Sequence, residues 1–510
     1  MEGSRPSMSD EDRVVDVAVI GGGINGVGIA RDAAGRGLSV LLAEKGDLAE
    51  GTSSRSGKLV HGGLRYLEYY EFRLVREALK EREVLLRAAP HIIWTMRFVL
   101  PHSPEQRPAW LIRLGLFFYD HLGGRQQLPG CRRLNLRTAP EGSAIREEYK
   151  LGFEYSDCWV DDSRLVVLNA LDAKERGANI RTRTEVVSAR REETHWLVTL
   201  KDGETGRRDT VKARVLVNAA GPWVEGVLGR VSGINASRRV RLVKGSHVVV
   251  RKFWDGPHAY FLQNSDNRVI FVNPYQDDLC LIGTTDIPYD GLAEDVSVDE
   301  EEVAYLLAAV NRYMRVRLTP QDVLHRFSGV RPLYDDKTVN PSAVTRDYVF
   351  DIDSSGDLPP LLSVFGGKIT TYRKLAEHAL ERLRPYLPES GAVWTAGASL
   401  PGGDIPNADF DAFLRDFQRV HAWLPSGLAR HYARLYGTRA KIVLGGAESL
   451  TELGVHFGGN LYECEVDYLR KFEWARSAED ILDRRTKHGL HIGQPVRASL
   501  EGEFKAGSTA

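Results

Sequence analysis

The stretch from Val14 to Glu44 constrains this 510-residue chain more than any other. Val14 to Ile20 is an apolar run with Asp16 as its one polar member, enough for a buried strand. Gly21, Gly23 and Gly26 then form G-x-G-x-x-G. Gly28 and the run Ile29–Ala34 suit a helix that Gly35 and Gly37 end, and Leu38–Ala43 reads as the next strand, with Glu44 at its tip. A glycine at the tight turn takes backbone angles closed to other residues, and the next lets the main chain approach a pyrophosphate. The helix N-terminus offers that anion unpaired N–H groups and a positive dipole end. Glu44, 23 residues after Gly21, falls where an acid accepts both hydroxyls of an adenosine ribose. Glycine-rich turns are common, so the motif alone says little. Strand, glycines, helix, strand and acid in that order predict a dinucleotide site over a plain turn.

Length implies two or three domains. A net charge of −1 leaves no global basic field, which argues against nucleic acid as a partner. Cys131, Cys158, Cys280 and Cys464 are scattered, without a C-x-x-C pair or metal-ligand spacing, so neither disulfides nor a metal are expected. Met1–Arg13 is polar and acidic, unlike a secretory or transit segment, and no run approaches the ~18 apolar residues of a spanning helix. The expected location is the cytoplasm or a cytoplasmic membrane face.

Further along, Gly51–Lys58 is a hydroxyl-rich loop able to donate hydrogen bonds to a pyrophosphate, or else an ordinary solvated turn. It leads into Leu59–Leu67, where His61, a glycine pair, Arg65 and Tyr66 suit a backbone pressed against a flat ligand. Glu71–Ala89 reads as an amphipathic helix. Between Arg107 and Arg125, Trp110, Leu114, Phe117, Phe118 and Tyr119 crowd together with arginines at the borders. Such a segment can lie in a membrane interface, but the sequence alone tilts towards a core helix. Asp161 or Asp162 caps a helix through Glu175, and Val215–Trp223 is an apolar strand ending in small residues. Residues 240–340 suggest an antiparallel sheet, interrupted by a helix at Asp299–Arg315. Leu361–Thr371 gives a strand, a glycine pair and a hydroxyl run that opens a helix. Beyond Pro401 the pattern is helical to about Arg485.

Together these motifs resemble those of the FAD-dependent glycerol-3-phosphate dehydrogenases of the aerobic, respiratory, bacterial type. The matching stretches are D-V-A-V-I-G-G-G-I-N-G-V-G-I-A-R-D from Asp16, K-L-V-H-G-G-L-R-Y-L from Lys58 and G-F-E-Y-S-D-C-W-V-D-D from Gly152. N-A-A-G-P-W from Asn218, I-G-T-T-D from Ile282, S-G-V-R-P-L from Ser328, T-R-D-Y from Thr345 and S-V-F-G-G-K-I-T-T-Y-R-K-L from Ser363 complete the set. The likeness runs from about Asp16 to about Gly489.

The resemblance implies a mixed α/β (α+β) protein of glycine/D-amino-acid-oxidase-like fold. A discontinuous Rossmann-type FAD-binding domain (14–90, 151–235, 346–395) would support an antiparallel-sheet substrate domain (91–150, 236–345), followed by an α-helical domain (396–510). Gly21, Gly23, Gly26 and Glu44 would hold the ADP half of FAD, with Thr52 and Ser53 near the pyrophosphate. Ala220 and Gly221 would abut the cofactor, and Gly367, Lys368 and Thr370 would approach its flavin end. Arg65, Tyr66, Arg331, Arg346 and Lys368 would bind substrate, with His61 and Arg331 in catalysis. Gly57 departs from the family, which usually has Ser there.

The chemistry of the residues agrees, since Arg grips a phosphate through two parallel N–H bonds. Taken singly, Arg331 and Arg346 read sooner as surface or structural arginines than as phosphate ligands. The reaction so implied is oxidation of sn-glycerol 3-phosphate at C2 to dihydroxyacetone phosphate. His61 is the candidate base, the rival being that it packs beside the flavin or attaches it. Electrons would pass to a membrane quinone from a protein bound peripherally at the inner membrane, and a homodimer is the assembly to test. A glycerol-3-phosphate oxidase releasing hydrogen peroxide shares the same motifs. A tRNA-binding flavoprotein and a silent FAD scaffold are the readings from other classes.

Overall fold

The computed structural model describes residues 14–124, 127–232, 239–264, 266, 268–334, 347–354, 356 and 358–507. Arg125 and Arg346, singled out above, lie outside them.

The strand Val14–Ile20 runs parallel to Val40–Ala43 on one side and to the end of Arg208–Asn218 on the other. Asn179–Arg181 extends the parallel sheet beyond the first neighbour, and Leu361–Phe365 beyond the second. Val40–Ala43 and Leu361–Phe365 are buried throughout, as befits parallel strands covered on both faces. The helices Ile24–Gly35, Asp162–Glu175 and Tyr372–Leu383 share one core with one face. On the other face, the antiparallel strands Thr184–Arg191 and Trp196–Asp202 join a core built on the fully buried Trp196. Gly28 lets two of the helices touch, because a Cβ there would stand 2.8 Å from the Tyr372 ring.

A second sheet of ten strands is antiparallel apart from the pairing of Ala259–Gln263 with Ile93–His102. Its longest pairing joins Val240–Arg251 to His325–Tyr334 and sets Val243 opposite Arg331. The helix Glu300–Tyr313 covers one face, begun by a capping box in which Asp299 and Glu302 satisfy each other's backbone N–H. Asp161 caps the helix Asp162–Glu175 by accepting from the Arg164 N–H, as its position suggested.

The segment Ala109–Leu122 is helical, but it is not the core helix that its apolar content suggested. Only Leu116 and Tyr119 are buried, Tyr119 donating to the Asp157 carboxylate at 2.8 Å. Trp110 is 67% and Phe117 53% exposed, and Leu114 and Phe118 also face outwards. Tyr69, Tyr70 and Phe72, in the turn that packs against this helix and at the start of the next, are exposed as well. The sequence showed aromatic and aliphatic residues crowded in a short span. It could not show that the neighbouring sheet has room for so few of them.

Beyond Pro401, helices including Phe410–Val420, Ser426–Tyr436 and Glu463–Phe472 enclose their own core. Buried ion pairs lock this unit to the rest. Asp47 receives Arg484 at 2.6 Å and two bonds from Arg485 at 2.7 Å, and Arg164 pairs with Glu473 where neither is exposed. Burial alone would raise the Asp47 pKa, but the guanidinium groups of Arg485 and Arg484 outweigh it and hold the carboxyl below its ordinary value of 3.8. A depressed acid stabilises the fold fully above its unfolded pKa and loses that contribution as pH falls through the folded one. Replacing Asp47 by Asn leaves the buried Arg485 without its carboxylate, while Arg484 keeps Asp480 and Glu479, and should cost about 3–5 kcal/mol in urea unfolding at neutral pH. The gap to the wild type should close as the titration is taken well below pH 3.8.

Candidate active site

The parallel strands all end at one edge of their sheet, and a cavity of about 540 Å3 opens there. Ile20, Ala43, Ala219 and Gly366, each at or just past a strand end, lie on its wall. This is where an open α/β sheet binds ligands. The glycine turn makes the close approach possible. Gly21 has φ +109°, and a Cβ on it would lie 2.7 Å from the Ala219 carbonyl oxygen. Gly26 is not on the wall, and its part is packing: a Cβ there would meet the Gly21 carbonyl oxygen at 1.9 Å.

The helix Ile24–Gly35 thus begins against the cavity, with no acid in its first turn to compete for an anion. Ser53 Oγ accepts the Ile24 N–H at 3.0 Å, fixing the second loop to the helix start. Asn25 donates to the Gly366 carbonyl at 3.1 Å, while its Oδ1 is buried without a partner among the described residues. Glu44 accepts the Gly22 N–H at 2.6 Å and the Gly46 N–H at 2.8 Å. Burial raises its pKa, and those two N–H bonds oppose the rise. A carboxylate has about four lone-pair sites, so two such bonds leave capacity for ribose hydroxyls. Ala220 and Gly221, at φ +57°, complete this wall. Thr52 also lines it, and its hydroxyl donates to the Val330 carbonyl at 2.7 Å.

A second cavity of about 340 Å3 adjoins the first, and Ser53, Arg55, Gly329 and Gly367 line both. His61, Arg65, Tyr66, Arg331, Lys368 and Thr370 meet here from three distant stretches of chain. The Thr370 hydroxyl accepts the His61 N–H at 3.3 Å and lies 3.4 Å from the His61 carbonyl, so it anchors the histidine backbone. Lys368 Nζ sits 3.9 Å from the centre of the Tyr66 ring. Arg331 Nη2 donates at 3.1 Å to both the Asp286 carboxylate and the Thr285 carbonyl. Gly245 makes room for it, since a Cβ there would stand 3.1 Å from that nitrogen.

Sequence reasoning missed several wall residues. Arg55 bridges the two cavities and donates to the Ser328 carbonyl at 3.1 Å. Asn273 follows directly on the apolar run Val269–Val272 inside one strand, a signal that could have exposed it. His247, between small and β-branched residues, carries a similar mark.

The family described as FAD dependent oxidoreductase matches residues 16–373. An aerobic glycerol-3-phosphate dehydrogenase of Escherichia coli (strain K12) is 52% identical over 477 residues, 94% of each chain. A D-erythritol 1-phosphate dehydrogenase of Brucella abortus (strain 2308) is 63% identical over 490 residues, 96% of this chain and 97% of that one. The chain belongs to the family of FAD-dependent glycerol-3-phosphate dehydrogenases. A member from Bacillus halodurans, solved in complex with FAD, shares the fold with a TM-score of 0.76 and 27% identity, covering 98% of this chain and 95% of that one. The chain is therefore an FAD-dependent oxidoreductase of glycine-oxidase-like architecture.

The residues present fit the family's cofactor. Glycines whose Cβ positions are occupied by backbone, a helix start free of acids and a two-bonded carboxylate make a dinucleotide cradle, and the second cavity adjoins it. Gly26→Ala drives a methyl into the Gly21 carbonyl and should yield protein without flavin absorbance. Flavin content and circular dichroism of the purified variant check this together, because loss of bound flavin with secondary structure retained is the expected pair.

Proposed function

We propose that this protein oxidises the secondary hydroxyl of a phosphorylated polyol, with sn-glycerol 3-phosphate giving dihydroxyacetone phosphate as the type reaction. The observation that carries the reading is the convergence of Arg65, Arg331 and Lys368 with His61 on one cavity beside the nucleotide cradle. FAD, when bound, would supply the acceptor for the hydride, and so for the two electrons, that leave the carbon being oxidised. Arg331 and Lys368 are the phosphate ligands, Arg331 aimed by Asp286 and Lys368 steadied over Tyr66. Arg65 adds a third positive charge at the rim. Anchoring the phosphate orients the adjacent carbinol, which is where most of the rate gain from positioning arises. His61 accepts the hydroxyl proton as the carbonyl forms, its backbone held by Thr370.

Anaerobic mixing of the holoenzyme with glycerol 3-phosphate should bleach the flavin band, and unphosphorylated glycerol should not. His61→Ala should slow single-turnover bleaching by ~10²-fold or more, and an unchanged rate removes His61 as the base.

The acceptor of the electrons is a membrane quinone, reached at the cytoplasmic face of the inner membrane. The exposed aromatics of Ala109–Leu122 support this part of the reading. They form an apolar face, joined by Tyr69 and Tyr70 only a few residues past Arg65 and Tyr66 in the cavity wall. No helix among the described residues is long and apolar enough to cross a membrane, so attachment would be peripheral through such a face. The triple variant W110S/F117S/F118S should keep flavin reduction by substrate but lose sedimentation with anionic phospholipid vesicles. Rapid peroxide release without added quinone would instead mark an oxidase.

A further inference from the structure

One wall of the substrate cavity holds polar groups that the reaction just described does not use. Asn273 is buried, and its amide donates to the Gly57 carbonyl at 3.4 Å, leaving Oδ1 without a hydrogen-bond partner among the described residues. His247 is buried too, stacked 5.0 Å from Phe327, and neither of its ring nitrogens has a partner there. Both side chains line the cavity. A buried polar atom left unpaired costs ~1–3 kcal/mol, so two such side chains on one ligand-facing wall need an explanation.

Gly57 lies between them. Its φ is outside the left-handed region, and a Cβ on it would meet only His247 Nε2, at an ordinary 3.6 Å. Neither backbone geometry nor crowding requires glycine here. Its effect is to keep open a space the size of a hydroxymethyl group, flanked by an acceptor and an imidazole. Burial, with the nearby charges of Lys58 and Arg331, lowers the His247 pKa to about 3, so the neutral ring has one N–H donor and one acceptor. Asn273 Oδ1 and the acceptor nitrogen of His247 each need a donor, and the terminal hydroxyl of glycerol 3-phosphate has one proton to give, so the second acceptor is left for a further hydroxyl.

We infer that Gly57, Asn273 and His247 form a hydroxyl-binding subsite that fits the cavity to a phosphorylated polyol with at least one more hydroxylated carbon than glycerol. This rests on the reading of the cavity as a polyol-phosphate site. A site built to hydrogen-bond a substrate hydroxyl discriminates strongly against the analogue lacking it, because its own buried groups then stay unpaired.

The test compares kcat/KM of the FAD-loaded enzyme for erythritol 1-phosphate and sn-glycerol 3-phosphate. The four-carbon substrate should be preferred at least ~10-fold. Asn273→Leu removes the acceptor at similar volume, and Gly57→Ser fills the space while offering His247 an internal hydroxyl. Each should lower the four-carbon to three-carbon ratio at least ~10-fold, chiefly through KM, with flavin content and melting temperature as folding controls. Should the leucine variant not fold, the serine variant decides. A wild type that prefers glycerol 3-phosphate, or a ratio unmoved in the folded variants, overturns the subsite and leaves the proposed reaction standing. Bound flavin that neither substrate bleaches overturns the proposed reaction itself.

Discussion

The site depends on one steric fact, the crossing of main chain at Gly21 and Gly26. With a Cβ position at Gly26 only 1.9 Å from the Gly21 carbonyl oxygen, no larger residue lets the helix start so close to the strand end. That closeness leaves the N-terminus of Ile24–Gly35 facing the cavity at the carboxyl edge of the parallel sheet. Glu44 and Ser53 then tie the turn to the next strand and the next loop through backbone N–H bonds. The cradle is thus made from main chain, and side chains mostly hold the main chain in place.

The same division of labour joins the two sheets. Thr52 reaches the Val330 carbonyl, Arg55 the Ser328 carbonyl and Thr370 the His61 backbone, each across more than 250 residues of sequence. These hydroxyls and this guanidinium act as clamps, and they bring the antiparallel sheet's Arg331 into the same cavity as His61 and Lys368. At the far side, buried ion pairs of Asp47 and Arg164 secure the helical unit against the cofactor domain. Breaking a buried pair leaves an uncompensated charge, which makes such pairs effective at fixing one arrangement of units even where their net contribution is small.

Much of this was legible in the residues. The strand–glycine–helix–strand–acid order of Val14–Glu44 reflects backbone limits that act locally, so it reads directly. The cap of the helix Asp162–Glu175 was narrowed to Asp161 or Asp162, since a cap is settled within one helical turn. The apolar helix Ala109–Leu122 was misjudged because hydrophobicity records what can be buried, not what a neighbouring surface has room to cover. Thr52, which the resemblance sets near the pyrophosphate, also has a clamping part that no local pattern shows, its hydroxyl donating to a carbonyl of the other sheet. Arg55 carries no local mark, and the polar residues His247 and Asn273 beside apolar strand runs carry a mark whose meaning only the opposite wall supplies.

By itself, then, the sequence determined a dinucleotide cradle, its family and a set of cationic residues, because short-range sterics and motif order carry that information. Only the tertiary structure decided which of those residues share a cavity and which serve as clamps. It also decided which polar atoms are buried without partners and which apolar face is left uncovered. Those properties belong to pairs of surfaces contributed by distant segments, and burial and hydrogen-bond satisfaction exist only once both surfaces are in place.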